Sequence, residues 1–388
     1  MKVEAVTIRE LRMPLKYFFE TSFGRTESRR VLLVTAHCEG GDGWAECVAS
    51  DAPFFSYEWI ETAWLTIREF LAPAIIGAKM SQARESAALM SRVRGHNMAK
   101  AALENALWDV EARQKQQPLW KLLGGTLNEI ACGVSIGIQD SHDQLLDKID
   151  TELHAGYQRI KVKVKPGWDL EVLSKIRERW PSVMLSCDAN SAYRPSDLEH
   201  LRKFDEFRLL MIEQPLWDDD IYQHSRLQRE LKTSICLDES IRQVRDAEEA
   251  IDLGACRIMN IKTGRVGGFS EAIAIHDLCQ KHGIPVWCGG MLETGIGRAH
   301  NVALSTLPNF RLPGDVSASK RYWAEDIVAP EIEVSPQGTI PVHDITGTGY
   351  EVKTELIQKL TVRAETIRRA GTEKMFVRER TRRLEPPS

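Results

Sequence analysis

The first part of the chain alternates apolar and polar residues with the two-residue period that is typical of strands. This pattern runs through KVEAVTIREL (2–11) and RRVLLVTAHCEG (29–40), and a turn at GGDG (40–43) leads into WAECV (44–48). Helical patterns follow, and the clearest of them, MAKAALENALWDVEARQ (98–114), carries an apolar stripe at helical spacing. The sequence therefore predicts an α+β domain over residues 1–125.

From about residue 130 the pattern changes to short apolar segments that are mostly separated by helical ones. Eight of these segments have the length and composition of buried strands: CGVSIGI (132–138), RIKVKV (159–164), VMLSCDA (183–189), LLMIEQ (209–214), SICLDE (234–239), RIMNIK (257–262), PVWCGG (285–290) and NFRLPGD (309–315). Eight such units in about 190 residues favour a closed barrel over an open doubly wound sheet. We therefore predict an α/β fold whose catalytic domain, residues 126–325, is a (β/α)7β TIM-like barrel.

The sequence also predicts where some helices begin and end, and where the C-terminal tail packs. Asp169 and Ser270 stand where the N-caps of crossover helices are expected, and Gly156 where the helix over 141–155 ends. The tail, residues 326–388, has too few periodic positions to form its own core. We expect it to pack back on the N-terminal domain, with its basic end RERTRRLEPPS (378–388) in solvent.

Composition narrows the class of protein. The 388 residues are 43% hydrophobic and 27% charged, and the net charge of −4 gives no reason to expect a nucleic acid or membrane partner. The first ten residues lack the apolar core of a signal peptide, and no run reaches the ~20 apolar residues of a membrane span. The eight cysteines form no C-x-x-C pair, so we expect reduced, mostly buried thiols. A cytoplasmic enzyme acting on a small molecule fits these features.

Charged residues end consecutive predicted strands at nearly constant spacing. Lys163, Asp188, Glu213 and Asp238 follow one another at intervals of 25 residues, and Lys262 comes 24 residues later. One βα unit separates each from the next, so all five are expected at the carboxyl-terminal rim of adjacent barrel strands. Active sites of TIM barrels are built at this rim.

The three carboxylates at this rim predict a metal. Asp188, Glu213 and Asp238 would repel one another without a cation, and a hard divalent ion prefers oxygen ligands. Mg²⁺ is the expected ion, with Mn²⁺ as a substitute, while zinc is disfavoured because no His or Cys joins the rim. Asn190 and Glu239 are the expected auxiliary groups around these ligands.

The lysines predict the chemistry. In RIKVKV (159–164) the apolar residues suit the helix-packed face, so Lys161 and Lys163 point into the barrel, where lysines are rare. Lys262 ends the sixth strand and is expected across the barrel mouth from Lys163. Two lysines on either side of a metal-bound carboxylate are placed to remove the proton on the adjacent carbon from either face.

This set of residues resembles the enolase superfamily, in which a Lys or His base works with Mg²⁺. The resemblance covers nearly the whole chain, and the pattern K-x-K, D-x-N, E-Q-P, D-E-S and a later K is similar to the branch of muconate cycloisomerases, dipeptide epimerases and o-succinylbenzoate synthases. Several stretches resemble the o-succinylbenzoate synthase group that includes N-acylamino acid racemases: IKVKVKPGWD (160–169), SCDANSAY (186–193), NIKTGRVGG (260–268), PVWCGGMLETGIGRAHN (285–301) and LPGDVSAS (312–319).

The resemblance implies an N-terminal capping domain and roles for single residues. Lys163 would be the acid/base in a dehydration in which Lys262 balances charge, and in racemisation of N-succinylamino acids both lysines would exchange the α-proton. Arg265 accompanies racemase activity in this group and would tune Lys262; the alternative is a surface arginine. Superfamily relatives are commonly oligomers, so we expect a homo-oligomer.

Substrate selection is expected from the capping domain and from loops of the barrel. The loop over 17–24 brings Phe19 and Phe23 near small residues, and 50–59 is a second candidate segment. Ser135, Gly290, Met291 and Glu293 are expected in the pocket wall, and the alternative for Glu293 is to cap the helix that follows. A dipeptide epimerase, a muconate-type cycloisomerase, a Schiff-base aldolase and a non-catalytic barrel remain as alternatives to a synthase or racemase.

Overall fold

A computed structural model describes residues 1–22 and 24–369 of the chain. The capping domain is built on an antiparallel sheet, whose first three strands form a meander: β1 Val3–Thr21, β2 Gly24–Cys38 and β3 Gly41–Cys47. Helices follow β3: α1 Ile60–Thr66, which continues through a π-helical turn (Ile67–Leu71) into α2 Ala72–Ile75, then α3 Glu85–Met90, α4 Asn97–Gln114 and α5 Leu119–Leu122. The predicted α+β character of this region is confirmed.

Helix α4 packs against β2 and β3 and is buried along almost its whole length. The close approach depends on Gly43 of β3, because a Cβ there would overlap the backbone of Ala106. The expected turn at 40–43 is shorter than predicted, since β3 already begins at Gly41. The expected loop over 17–24 is largely strand: β1 and β2 extend as a hairpin arm, with a register shift between Pro14 and Phe19.

The barrel contains seven parallel strands in sequential order: β5 Gly133–Ile136, β6 Arg159–Lys163, β7 Met184–Asp188, β8 Ile212–Glu213, β9 Ile235–Leu237, β10 Ile258–Ile261 and β11 Val286–Cys288; a short β4, Glu129–Ala131, precedes them. Helices connect them: α6 His142–His154, α7 Leu170–Arg179, α8 Leu198–Leu201, α9 Tyr222–Glu230, α10 Val244–Leu253, α11 Thr263–Val266, α12 Phe269–Lys281 and α13 Gly295–Leu304. Short 3₁₀ turns cover Pro195–Asp197, Arg202–Phe207 and Ser319–Arg321.

The predicted eighth strand, 309–315, closes the ring by single bridges rather than a continuous ladder. Phe310 bridges to Val286 of β11, and Gly314 bridges to Cys132 just before β5. Pro313 lies between the two bridges and has no N–H to donate, which explains why this segment does not form a regular strand. The predicted barrel order is confirmed with this difference.

Two of the three expected element ends agree with the structure. Asp169 caps α7 by accepting the Leu170 N–H at 2.7 Å, and Gly156, with φ of 99°, follows the end of α6. Ser270 is not an N-cap, because α12 already begins at Phe269. Its N–H and hydroxyl instead donate to Glu104 of α4, which ties the barrel to the capping domain.

The tail contains β12 Val328–Ala329, β13 Thr339–Pro341, β14 Glu351–Val352, α14 Thr354–Leu360 and β15 Thr361–Arg368. Strand β13 pairs with β4, and β15 pairs with β1 at the edge of the capping sheet, so the tail completes the capping domain as expected. The basic segment 378–388 lies outside the described residues.

All eight cysteines are free and buried, as predicted. Within residues 1–22 and 24–369, no helix combines the length and apolar character that crossing a membrane requires.

Candidate active site

The charged strand ends lie together because the 25-residue spacing matches the register of the sheet. Lys163 of β6 pairs with Asp188 of β7, and Asp188 pairs in turn with Glu213 of β8. Asp238 and Lys262 follow β9 and β10 directly. All five side chains are buried at the carboxyl-terminal end of the barrel.

Lys163 is held by two acceptors. Its Nζ donates to Asp188 Oδ2 at 2.6 Å and to Asn190 Oδ1 at 2.8 Å, while the Asn190 amide donates to Glu239 Oε1 at 3.0 Å. Burial alone would raise the pKa of Asp188, but the ammonium groups of Lys163 and Lys161 outweigh it and hold that pKa well below its ordinary value. Asn190 therefore links one lysine to the second acidic residue of the D-E-S motif.

Lys161 lies deeper in the barrel and contacts three carboxylates. Its Nζ is 2.6 Å from Glu213 Oε2, 2.8 Å from Asp315 Oδ2 and 3.3 Å from Asp188 Oδ2. Burial opposes the charge, yet these carboxylates raise the pKa of Lys161 well above its ordinary value, so it is a permanent cation. The predicted inward direction of Lys161 and Lys163 agrees with these contacts.

Lys262 shares its carboxylate partner with Arg265. Lys262 Nζ lies 2.6 Å from Asp238 Oδ2, while Arg265 donates to Asp238 Oδ1 and, through Nε, to the carbonyl of Ile241 at 2.7 Å. Burial alone would lower the pKa of Lys262, but Asp238, Glu213 and Glu239 together raise it. Arg265 is only 4% exposed, so it is not a surface arginine.

Three buried residues of this network were not singled out from the sequence: Arg159, Asn260 and Asp315. Arg159 donates to Asp315 Oδ1 at 2.6 Å, and the Asn260 amide donates to Glu213 Oε1 at 2.7 Å. A signal for each was available. Arg159 shares the inward face of its strand with Lys161, and Asn260 shares that of Lys262. Asp315 is the last residue of the eighth predicted segment.

The donor chemistry of the rim fits a hard divalent cation. The ligands expected there, Asp188, Glu213 and Asp238, offer only oxygen atoms. Burial is the largest cause that raises the pKa of Glu213 and Glu239, and repulsion from neighbouring carboxylates is the second. This repulsion is the kind that a bound cation relieves. In the described part of the chain, no three His, Cys, Asp or Glu side chains converge closely enough to form a ready-made metal site, because each of the three carboxylates holds a lysine instead. Metal binding would therefore require these oxygens to turn away from the lysines.

A cavity of about 500 Å³ opens above the two lysines, between the capping domain and the barrel. Lys163, Asn190 and Lys262 form its base, and Phe55 approaches Lys262, with Nζ 4.8 Å from the ring centre. Phe19, Gly290 and Met291, which were expected in the pocket wall, line this cavity.

Ser135 and Glu293, which were also expected in the pocket wall, do not line this cavity. Ser135, 8% exposed, stands next to Lys161 in the β5–β6 register, and its hydroxyl has no hydrogen-bond partner among the described residues. Glu293 accepts from the Met291 N–H at 2.8 Å and from the Asn301 amide at 2.9 Å, so it supports the loop that carries Met291. Phe23 lies outside the described residues.

Comparison with known proteins agrees with this architecture. The family described as "Mandelate racemase / muconate lactonizing enzyme, N-terminal domain" matches residues 3–124, and "Enolase C-terminal domain-like" matches residues 144–356. An o-succinylbenzoate synthase of Geobacillus kaustophilus is 50% identical to the chain, covering 96% of it and 99% of that protein. An N-succinylamino acid racemase of an Amycolatopsis species is 46% identical, covering 93% and 98%.

Two solved structures have the same fold along nearly their whole length. A member of the enolase superfamily from Listeria innocua superposes with a TM-score of 0.91 at 40% identity, covering 95% of this chain and 99% of that one. A dipeptide epimerase from Enterococcus faecalis, complexed with Mg and the dipeptide L-Leu-L-Tyr, gives 0.83 at 26% identity, covering 90% and 100%. With both domain families matched along the chain and relatives near half identity, the protein belongs to the enolase superfamily.

Proposed function

We propose that the protein is a Mg²⁺-dependent enzyme that removes the proton next to a carboxylate, as an o-succinylbenzoate synthase, an N-succinylamino acid racemase or both. The observation that carries this proposal is the position of two buried lysines at the base of one cavity. Lys163 ends β6 and Lys262 follows β10, four strands further around the ring, so they approach the cavity from opposite sides. The names of the relatives supply the substrate class.

Asp188, Glu213 and Asp238 would hold the metal, and Mn²⁺ is the substitute to test. When bound, Mg²⁺ would withdraw electron density from the substrate carboxylate and so acidify the adjacent C–H bond. The Mg-bound epimerase of the same fold supports this choice of ion. Asn190, Asn260 and Glu239 orient the lysines and carboxylates through the hydrogen bonds described above.

The chain's own groups account for the proton transfers. In dehydration, Lys163 takes the α-proton, and the electron pair of the C–H bond moves toward the carboxylate. Lys163 then returns this proton to the β-hydroxyl, the C–O bond breaks as water leaves, and the electron pair forms the new C=C bond. Lys262, whose side chain lines the same cavity, balances the negative charge that develops on the carboxylate. In racemisation, one lysine removes the proton and the other returns one to the opposite face.

An acyl substrate is favoured over a dipeptide. A dipeptide epimerase needs an acidic side chain for the substrate amine, and Asp315 is the acidic residue at the end of the eighth barrel segment. Asp315 is already paired with Arg159 at 2.6 Å and Lys161 at 2.8 Å, so it has no charge left for an amine.

The test is proton NMR of N-succinyl-L-phenylalanine in D₂O with enzyme and MgCl₂. If the two lysines act on opposite faces of the α-carbon, both the α-proton signal and the optical rotation should be lost. Chelation should stop the exchange, and Mg²⁺ should restore it. Dehydration of 2-succinyl-6-hydroxy-2,4-cyclohexadiene-1-carboxylate is followed in parallel by the absorbance of the aromatic product. Failure of both reactions with metal bound would refute the proposal, and exchange of a dipeptide or cycloisomerisation of muconate would then identify the alternative.

A further inference from the structure

A buried arginine of the capping domain lines the same cavity as the two lysines. Arg29 lies on β2 opposite Met13 of β1 and is 4% exposed. Its neighbour Arg30 points to the other side of the sheet, where it binds Glu10 at 2.6 Å and Glu61 at 2.5 Å. The alternation of the strand therefore separates a paired arginine on one face from Arg29 on the cavity face.

Arg29 lacks a partner in the described part of the chain. Its Nε and Nη2 are buried without any hydrogen bond, and it forms no ion pair within residues 1–22 and 24–369. The other cations of the cavity wall are all engaged: Arg25 binds Glu20 and Asp140, while Lys163 and Lys262 bind their strand-end carboxylates. A buried guanidinium without an acceptor is costly, so its retention beside a cavity points to an anion that arrives from outside the chain.

Glu27 and Asp51 line the same cavity, but neither forms an ion pair with Arg29 in the described part of the chain. Glu46 is the carboxyl group whose pKa responds to Arg29, and it is a poor partner. Its Oε2 accepts the Thr294 backbone N–H at 2.9 Å and the Thr294 hydroxyl at 2.6 Å. Its Oε1 is buried without a hydrogen bond, so it does not pair with Arg29 either. Burial raises the pKa of Glu46 to about 7, with Glu293 adding to this and Arg29 opposing it. Near neutral pH a large share of Glu46 is therefore uncharged, and the charge of Arg29 is not balanced.

We propose that Arg29 binds the second carboxylate of a dicarboxylate substrate, the one that ends the acyl chain and takes no part in the reaction. With the reacting carboxylate held over Lys163 and Lys262 at the base, the acyl chain extends through the cavity toward the capping domain. The terminal carboxylate then meets Arg29, and a charge-assisted hydrogen bond forms there. Because this inference rests on the proposed function, its test separates the two.

The test compares two substrates that differ only in this charge. N-succinyl-L-phenylalanine ends in a carboxylate, and N-(3-carbamoylpropanoyl)-L-phenylalanine carries a neutral amide of the same size. α-Proton exchange is measured with both for the wild type, Arg29→Gln and Arg29→Lys. Arg30→Gln is the matched control, since it removes the same charge from the opposite face of the same strand.

The wild type is expected to prefer the succinyl substrate by about tenfold or more in kcat/KM, mainly through KM, as a hydrogen bond between charged groups predicts. Arg29→Gln should bring the ratio of the two kcat/KM values close to one without changing kcat for the amide substrate. Arg29→Lys should retain part of the preference for the succinyl substrate, and Arg30→Gln should leave the preference unchanged. If Arg29→Gln lowers kcat/KM equally for both substrates, the inference is overturned, and the role of Arg29 is to interact with Glu46. Equal kcat/KM of the wild type for the two substrates would also overturn the inference. Exchange of neither substrate by the wild type would instead refute the proposed function.

Discussion

Lys163 Nζ lies 2.6 Å from Asp188 Oδ2, and the two residues face each other in register across β6 and β7. An expected base and an expected metal ligand are therefore direct partners. As long as the pair is intact, the lysine nitrogen and one carboxylate oxygen are both occupied. A metal that draws Asp188 toward itself would release Lys163, so metal binding and the readiness of the base are coupled through this one contact.

Replacing Lys163 by alanine should lower turnover by about 10²–10⁴-fold, the usual contribution of a general base. Metal binding should persist, because the substitution removes a competitor for Asp188 rather than a ligand. Turnover is measured by α-proton exchange and Mg²⁺ binding by titration calorimetry. Lys165→Ala is the matched control, since Lys165 is 40% exposed and its nearest carboxylate, on Glu20, is 3.8 Å away. Wild-type turnover in Lys163→Ala would remove this residue as the base.

Replacing Glu213 by glutamine should weaken Mg²⁺ binding by at least about 10–100-fold. Losses of this size follow removal of a group that only orients a metal ligand, and Glu213 is expected to be a ligand itself. The amide keeps the size of the side chain, but it replaces one acceptor oxygen by an NH2 donor and removes the charge at the centre of the carboxylate row. The readout is the dissociation constant of Mg²⁺ together with the Mg²⁺ concentration for half-maximal activity. Glu171→Gln, at an exposed position, serves as the control and should bind Mg²⁺ as the wild type does. An unchanged constant in Glu213→Gln would mean that the ligand set is wrong.

The sequence was sufficient for those features of the barrel that depend on period and spacing. The 25-residue intervals from Lys163 to Asp188 and from Asp188 to Glu213 each equal one βα unit, so they translate directly into strand register, and the alternation in RIKVKV predicts which lysines point inward. Features that depend on contacts distant in sequence could not be predicted in this way. The support of the Met291 loop by Glu293 and the burial of Arg29 both arise when distant segments meet, and no local pattern records either.

Stability should fall as the pH drops from about 6.5 toward about 4, in part because of His224. This side chain is buried between the Leu216 N–H, donated to its Nε2 at 3.1 Å, and the Asp220 carbonyl, and burial lowers its pKa to about 4. The unfolded chain binds a proton below about 6.5 while the folded chain does not, so the stabilisation is full above that pH. The loss should approach about 3 kcal/mol at pH 4. Urea unfolding of the wild type and His224→Gln across this range isolates the effect, and parallel pH curves for the two proteins would contradict it.

Replacing Asp315 by asparagine should destabilise the fold by about 3–5 kcal/mol, because it removes one partner of a buried ion pair. Asp315 lies between Arg159 and Lys161, at 2.6 and 2.8 Å, and Arg159 is fully buried beside the ring of Trp287. Without the carboxylate, two cations face each other in the barrel interior with a single neutral amide between them. Adding Arg159→Met should recover part of the lost stability, since it removes the cation that was left unpaired. The free energy of unfolding in urea is measured for both single variants and the double variant. Additive losses would show that Arg159 and Asp315 are energetically independent, and the charge network inferred from their contact would then be wrong.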